Sequence, residues 1–124
     1  MSATGVFLVF LSALSTAVAN LLMRRGILTS GAFRANSGSA LHSVLLLLQS
    51  PAFIAGFLLY GLAAAIWFRV LPMENLTNSY PLLVSLTFLM VTVGAVIVFS
   101  EHVSALKVTG LVVIIAGIVL VSRG

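Results

Sequence analysis

The chain alternates between long apolar stretches and short polar breaks, and four of the apolar stretches are of membrane-spanning length. A helix rises about 1.5 Å per residue, so roughly 20 residues cross the hydrocarbon core of a bilayer. The pattern predicts an all-α membrane protein with a single transmembrane domain. Its four helices are predicted over residues 5–23, 51–70, 80–100 and 104–122.

Residues 24–50 separate the first two predicted helices. As far as Leu41, this segment consists mostly of small or polar residues. The apolar residues 44–48 that follow are too few to span a bilayer. The pattern predicts a membrane-surface loop with an interfacial segment. Residues 17–19 resemble a signal-peptide cleavage site, but no Lys or Arg precedes the apolar run, which favours a transmembrane helix.

Composition narrows the class of protein. Hydrophobic residues make up 61% of the chain and charged residues 6%, which leaves too little polar surface for a water-soluble globule. There is no cysteine, so thiolate metal sites and cysteine nucleophiles are excluded. The two histidines and two acids, His42, His102, Glu74 and Glu101, are scattered over separate connections. We therefore expect no enzyme activity, no metal site and no cofactor.

Charge indicates the partners and the orientation. The net charge of +4 favours the anionic headgroups of membrane lipids, and nucleic acid is not an expected partner because no soluble basic surface exists to hold it. Four basic residues flank one membrane face and two flank the other: Arg24, Arg25, Arg34 and Lys107 against Arg69 and Arg123. This bias predicts a cytoplasmic first loop with both termini outside, and its small size leaves dual insertion open.

Polar residues inside the spans need a partner or a water-filled cavity. Ser12, Thr16 and Asn20 recur every fourth residue and so share one face of the first helix. Similar candidates occur on the second and third helices: Tyr60, Trp67, Tyr80, Ser85 and Thr92. Two interpretations remain open. The side chains line a cavity, or they bond their own backbone and serve as packing positions.

The fourth helix carries Gly110 and Gly117, two turns apart on one face. Small residues at this spacing allow close helix approach. The contact lies either within one subunit or between two subunits. Because four helices hardly enclose a solute pathway and two copies supply eight, the spacing favours a dimer.

Three stretches carry a resemblance to a known family: ANLLMRRG (19–26), SYPLLVSLTFLMVTVGAVIVFSEHVS (79–104) and GLVVIIAGIVLVSRG (110–124). Their order and spacing resemble the small multidrug resistance branch of the drug/metabolite transporter superfamily. Within it, the chain is most similar to subunits of the 4-amino-4-deoxy-arabinose-phosphoundecaprenol flippase. The resemblance implies a bacterial inner-membrane transporter, a homodimer or a heterodimer with a paralogous subunit, and a lipid-linked (undecaprenyl phosphate) sugar as cargo.

The resemblance also suggests roles for particular residues. The polar positions of the first three helices would bind sugar hydroxyls, and Arg69 or Lys107 would hold the phosphate. Glu101 would pair with an amino sugar, or act as a structural anchor with His102, Lys107 or Arg25.

One position separates the branches of this family. Proton-coupled exporters carry a membrane-embedded Glu where this chain has Thr16, and a hydroxyl cannot cycle protonation near neutral pH. This departure favours the flippase branch. The alternatives are an exporter of amphiphilic cations that works without this Glu, and an accessory membrane subunit that does not transport.

Overall fold

The computed structural model describes residues 2–33 and 38–123, and their secondary structure is entirely helical. The sequence-based prediction of an all-α protein is therefore confirmed. The described helices are α1 (Ala3–Ser30), α2 (Ala40–Leu48), α3 (Pro51–Val70), α4 (Leu76–Phe99) and α5 (Ala105–Arg123). Arg34, one of the basic residues used to predict the orientation, lies outside the described residues.

Helix α1 is longer than predicted, because it passes through Arg24 and Arg25 and continues for about two turns beyond Met23. Arginine is a good helix former, so a charge at the membrane surface does not end a helix. The helix ends at Gly31, whose φ of 78° is a left-handed conformation that glycine adopts without strain. Part of the predicted surface loop is thus helical.

The other helix boundaries follow local capping signals. The interfacial segment forms α2, whose N-terminus is capped by the hydroxyl of Ser39. Helix α3 starts at Pro51, as predicted, behind the capping residue Ser50. Helix α4 starts about one turn earlier than predicted and contains Pro81 near its beginning, where the missing N–H costs one hydrogen bond.

Close packing concentrates where α1 and α3 cross in antiparallel directions. A Cβ atom at Gly56 would lie 2.8 Å from the carbonyl oxygen of Ala19, and one at Gly26 would lie 2.6 Å from the backbone nitrogen of Phe53. Further along the same seam, the hydroxyl of Ser12 donates to the carbonyl oxygen of Ala63 at 2.9 Å, and both residues are buried. Small residues thus bring the two backbones into contact.

The remaining helices are added to this pair. Helix α4 runs parallel to α1, with Gly94 against Leu21, and α5 packs on α4. Much of α5 is exposed, including Leu106 and Leu120 at 83% and 73%. Three helices, α1, α3 and α4, are long and apolar enough to cross a membrane, while the apolar part of α5 (Ala105–Val121) is shorter.

The N-terminus of α1 is tied to the connection between α3 and α4. Ser2 donates both its backbone N–H (3.2 Å) and its hydroxyl (2.7 Å) to Oε1 of Glu74. The hydroxyl also accepts from the N–H of Gly5, so Ser2 caps the helix at the same time. The hydrogen bond from the Ser2 hydroxyl is the main cause that lowers the pKa of Glu74 below its ordinary value of 4.5.

This contact predicts a pH effect on stability. Because the pKa of Glu74 is lowered in the folded protein, its contribution is fully present above pH 4.5 and is lost as the pH falls through the folded-state pKa. We expect the wild-type thermal midpoint to fall more below pH 4.5 than that of Glu74→Gln. Both proteins in this comparison also carry Glu101→Gln, which removes the other acid of the chain. Identical pH profiles would contradict the contact.

Candidate functional site

A cavity of about 530 Å³ lies between α1, α4 and the beginning of α5, and we call it the polar cavity. Its polar side chains are Asn20, Arg24, Thr87, Thr92, Glu101, His102 and Lys107. Four of these, Asn20, Thr92, Glu101 and Lys107, are residues that the sequence predicted for the site. The cavity is open on one side, and its other walls are apolar.

The charged end of the polar cavity is built where α4 stops. Ser100 ends α4 in a left-handed conformation (φ 54°) and turns the chain, which brings Glu101 next to α1. There Nη1 of Arg24 donates to Oε2 of Glu101 in a salt bridge. The guanidinium also lies over the ring of Phe99, 4.6 Å from its centroid, which adds a cation–π contact. Arg24 is thus the partner of Glu101, in place of the three anchors named from the sequence.

A second cavity of about 330 Å³, the aromatic cavity, lies between α1, α3 and α4. Five more of the site residues predicted from the sequence line this cavity: Ser12, Thr16, Tyr60, Trp67 and Tyr80. The rings of Trp67 and Tyr80 are 6.0 Å apart at 55°. Val84 and Thr87 line both cavities, so the two adjoin along α4.

Most hydroxyl donors in these cavities are already used by the backbone. Thr16 donates to the carbonyl oxygen of Ser12 at 2.9 Å, and Thr92 donates to that of Phe88 at 2.8 Å. The amide of Asn20 donates to the carbonyl oxygen of Thr16 at 2.9 Å. These bonds leave acceptor lone pairs for a ligand, and the exposed Asn20 retains one amide hydrogen and its carbonyl oxygen.

Two predicted site residues lie elsewhere. Ser85 is buried at 8% exposure and lines neither cavity. Arg69 is in the last turn of α3, towards the opposite end of the bundle from Arg24, and also lines neither cavity. Arg69 is therefore apart from the other predicted cavity residues, and its suggested role in phosphate binding stays a prediction.

Arg24, Thr87 and His102 line the polar cavity although the sequence did not single them out for the site. A signal for Arg24 was present, because it follows Asn20 by four residues and so continues the same helix face. Thr87 and His102 had no comparable signal. Within residues 2–33 and 38–123, no group of three or more His, Cys, Asp or Glu side chains is placed to hold a metal ion.

The long apolar helices indicate a multi-pass membrane protein. Comparison with known proteins relates the chain to transporter subunits. No family model and no solved structure matches the chain. The relationship rests on individual curated proteins.

The chain is 37% identical over 76 residues to the probable 4-amino-4-deoxy-L-arabinose-phosphoundecaprenol flippase subunit ArnE of Pseudomonas aeruginosa, and this match covers 61% of the chain. ArnE of Pseudomonas paraeruginosa matches to the same extent. The chain spans 65% of the length of both relatives. A protein of Sinorhizobium fredii named y4nH, described as uncharacterized, is 25% identical over 126 residues, which cover the whole chain and 99% of y4nH.

Proposed function

We propose that the chain is a subunit of a bacterial inner-membrane flippase in the small multidrug resistance-like branch, and that it moves an undecaprenyl phosphate-linked sugar such as aminoarabinose. One observation carries the proposal: a cavity with a charged, hydrogen-bonding end opens beside apolar helix surfaces. A lipid-linked sugar has this same division, since its head cannot enter hydrocarbon and its tail is at home there.

The surfaces available for head and tail are adjacent. Leu21 lines the polar cavity and also an apolar groove of about 400 Å³ between α1 and α4, whose walls include Leu14, Val18, Leu89 and Val93. The head would occupy the polar cavity while the tail follows this groove or the lipid next to it. The protein then has to shelter only the head during crossing.

The dimer is part of the same proposal. Both cavities are partly open in a single copy, and α5, which we propose as the fourth membrane crossing, exposes most of its surface. A second copy or a paralogous subunit would supply the missing wall, and the two sets of helices would rock between inward-open and outward-open states.

An exporter of amphiphilic cations fits the site less well. Such a transporter needs an acid in the membrane-embedded part of its cavity. At the corresponding position this chain has Thr16, which lines the aromatic cavity. The only acids of the chain, Glu74 and Glu101, lie in connections between helices. Glu101 is already paired with Arg24.

A reconstitution assay tests the proposed function. The purified chain is placed in vesicles, alone and with a paralogous subunit, together with a fluorescent undecaprenyl phosphate aminoarabinose analogue that dithionite bleaches only in the outer leaflet. Flipping is expected to raise the bleached fraction above that of protein-free vesicles. A bleached fraction equal to that control under both conditions would reject transport and favour an accessory subunit.

Asn20 is the polar side chain whose loss should affect flipping most directly. We expect Asn20→Ala to slow flipping about fivefold, because removing a side chain with a free donor and a free acceptor loses about 1 kcal/mol of hydrogen bonding. Thr16→Ala is the control on the same helix face. Its hydroxyl donor is already used by Ser12, so its effect should be milder. Equal rates for Asn20→Ala and wild type would remove Asn20 from the site.

A further inference from the structure

The salt bridge between Arg24 and Glu101 closes part of the polar cavity wall. Both side chains line the cavity and remain about half exposed, at 49% and 43%. Exposed ion pairs are individually weak, because water competes for both partners. The pair is therefore able to open without disturbing the helices, and the cation–π contact with Phe99 would keep the guanidinium in place when it does.

A second cation lies in the same cavity. Lys107 is in the first turn of α5, where its N–H donates to the Ser104 hydroxyl at 3.2 Å. Among the described residues, Arg24–Glu101 is the sole salt bridge, so the ammonium of Lys107 has no carboxylate partner there. Together, Arg24, Lys107 and Glu101 give this end of the cavity one net positive charge.

We infer that Arg24 is the phosphate-binding residue of the polar cavity and that Glu101 is an internal competitor, which occupies the guanidinium until a phosphate headgroup displaces it. The inference rests on the proposed function and specifies how its site recognises the headgroup. Carboxylate and phosphate oxygens are both good acceptors for a guanidinium, and the phosphodiester of a lipid-linked sugar carries the same single negative charge as a carboxylate, so it can replace Glu101 on Arg24 without a change in charge. Lys107 then adds a second cation to the same headgroup.

Competition between Glu101 and the headgroup for Arg24 predicts how a variant of Glu101 binds phosphate. Removing the Glu101 charge should strengthen phosphate binding, and it should do so through Arg24. A headgroup held more tightly also leaves more slowly, so Glu101→Gln is expected to slow flipping although it improves binding. If Glu101 only anchored the helices, its replacement by Gln would not strengthen phosphate binding.

The test measures the affinity of the full chain, in phosphatidylcholine nanodiscs, for farnesyl phosphate, farnesol and inorganic phosphate. We expect Glu101→Gln to lower the Kd for farnesyl phosphate about fivefold, the upper range for an exposed ion pair. Arg24→Gln should raise this Kd at least about tenfold, and Arg24→Lys should raise it less. Farnesol, which has the same tail without the phosphate, should respond to none of these changes. Inorganic phosphate shows whether the site needs the lipid: a Kd for inorganic phosphate as low as that for farnesyl phosphate would assign a free-phosphate site and overturn the lipid headgroup.

Two matched controls and a double variant separate exchange from a general effect of charge. Glu74→Gln removes the other acid, and Arg25→Gln removes the neighbouring arginine, which lines neither cavity; both should leave the Kd within about twofold. In Arg24→Gln/Glu101→Gln the gain from Glu101→Gln should vanish. A gain that persists without Arg24, or no gain at all, would overturn the inference. If the wild-type chain flips the lipid but Glu101→Gln does not lower the Kd, the exchange is rejected and the proposed function is not. If the Kd values change as expected but no flipping occurs, the proposed function is rejected and the exchange is not.

Discussion

Replacing Gly56 by Leu is expected to prevent α1 and α3 from packing and to leave little folded protein. A Cβ atom at position 56 would lie 2.8 Å from the carbonyl oxygen of Ala19 and 2.9 Å from the backbone nitrogen of Met23. Because these are backbone atoms of a helix, they cannot move aside as a flexible side chain would. The two helices would have to separate along a seam that also contains the hydrogen bond from Ser12 to Ala63.

The expected loss in the free energy of unfolding for Gly56→Leu is about 3 kcal/mol or more, the upper end of the usual cost of overpacking, because the clash involves backbone atoms. The thermal midpoint and the monodisperse fraction in detergent measure it. Gly61→Leu is the matched control, since it lies on the same helix and a Cβ atom there would meet nothing within 4 Å. Wild-type stability in both variants would show that the α1–α3 seam tolerates bulk.

The long helices were predictable because the apolar stretches are long and some of their ends carry strong local signals. Pro51 and Ser50 mark the beginning of α3, and the structure places its start at that proline. The end of α1 was not predictable in the same way. The sequence pattern predicts a helix end at the membrane boundary before Arg24, whereas the helix continues until a residue leaves the helical conformation, here Gly31.

The sequence predicts which helix face carries the candidate site residues, but not how deeply each side chain is buried. The fourfold spacing of Ser12, Thr16 and Asn20 places them on one face of α1. Which part of that face α3 covers depends on tertiary packing, and the structure buries Ser12 while it leaves Asn20 exposed. The ion pair was missed because it joins residues far apart in the chain, Arg24 and Glu101, and depends on the turn at Ser100.

The glycines show a related limit. The spacing indicates Gly110 and Gly117 as contact positions, yet Gly26 and Gly56, which have no such regular spacing, are the glycines that meet backbone atoms of another described helix. At Gly110 and Gly117 an added Cβ atom would meet nothing within 4 Å. Among the described residues, α5 therefore presents these two glycines to no other helix, and their role in a contact between subunits stays a prediction.

The double variant Gly110→Leu/Gly117→Leu is expected to weaken dimer formation strongly and to leave membrane insertion and the fold of the subunit intact. Both glycines lie on one face of α5, and the open space around them provides room for a helix of a second subunit. Leucine would keep that helix at a distance and would raise the hydropathy of α5, so insertion should not suffer.

Subunit cross-linking in native membranes and the concentration dependence of energy transfer between labelled chains measure the dimer. We expect association to weaken at least about tenfold, which corresponds to about 1.4 kcal/mol. Gly61→Leu again serves as the control, because it introduces the same side chain on an open face of another helix. A reduced thermal midpoint of the double variant in dilute detergent would point to a fold defect. Cross-linking that is unchanged from wild type would place the dimer contact away from this face of α5, and the cavities would then have to be completed by a different surface of the partner.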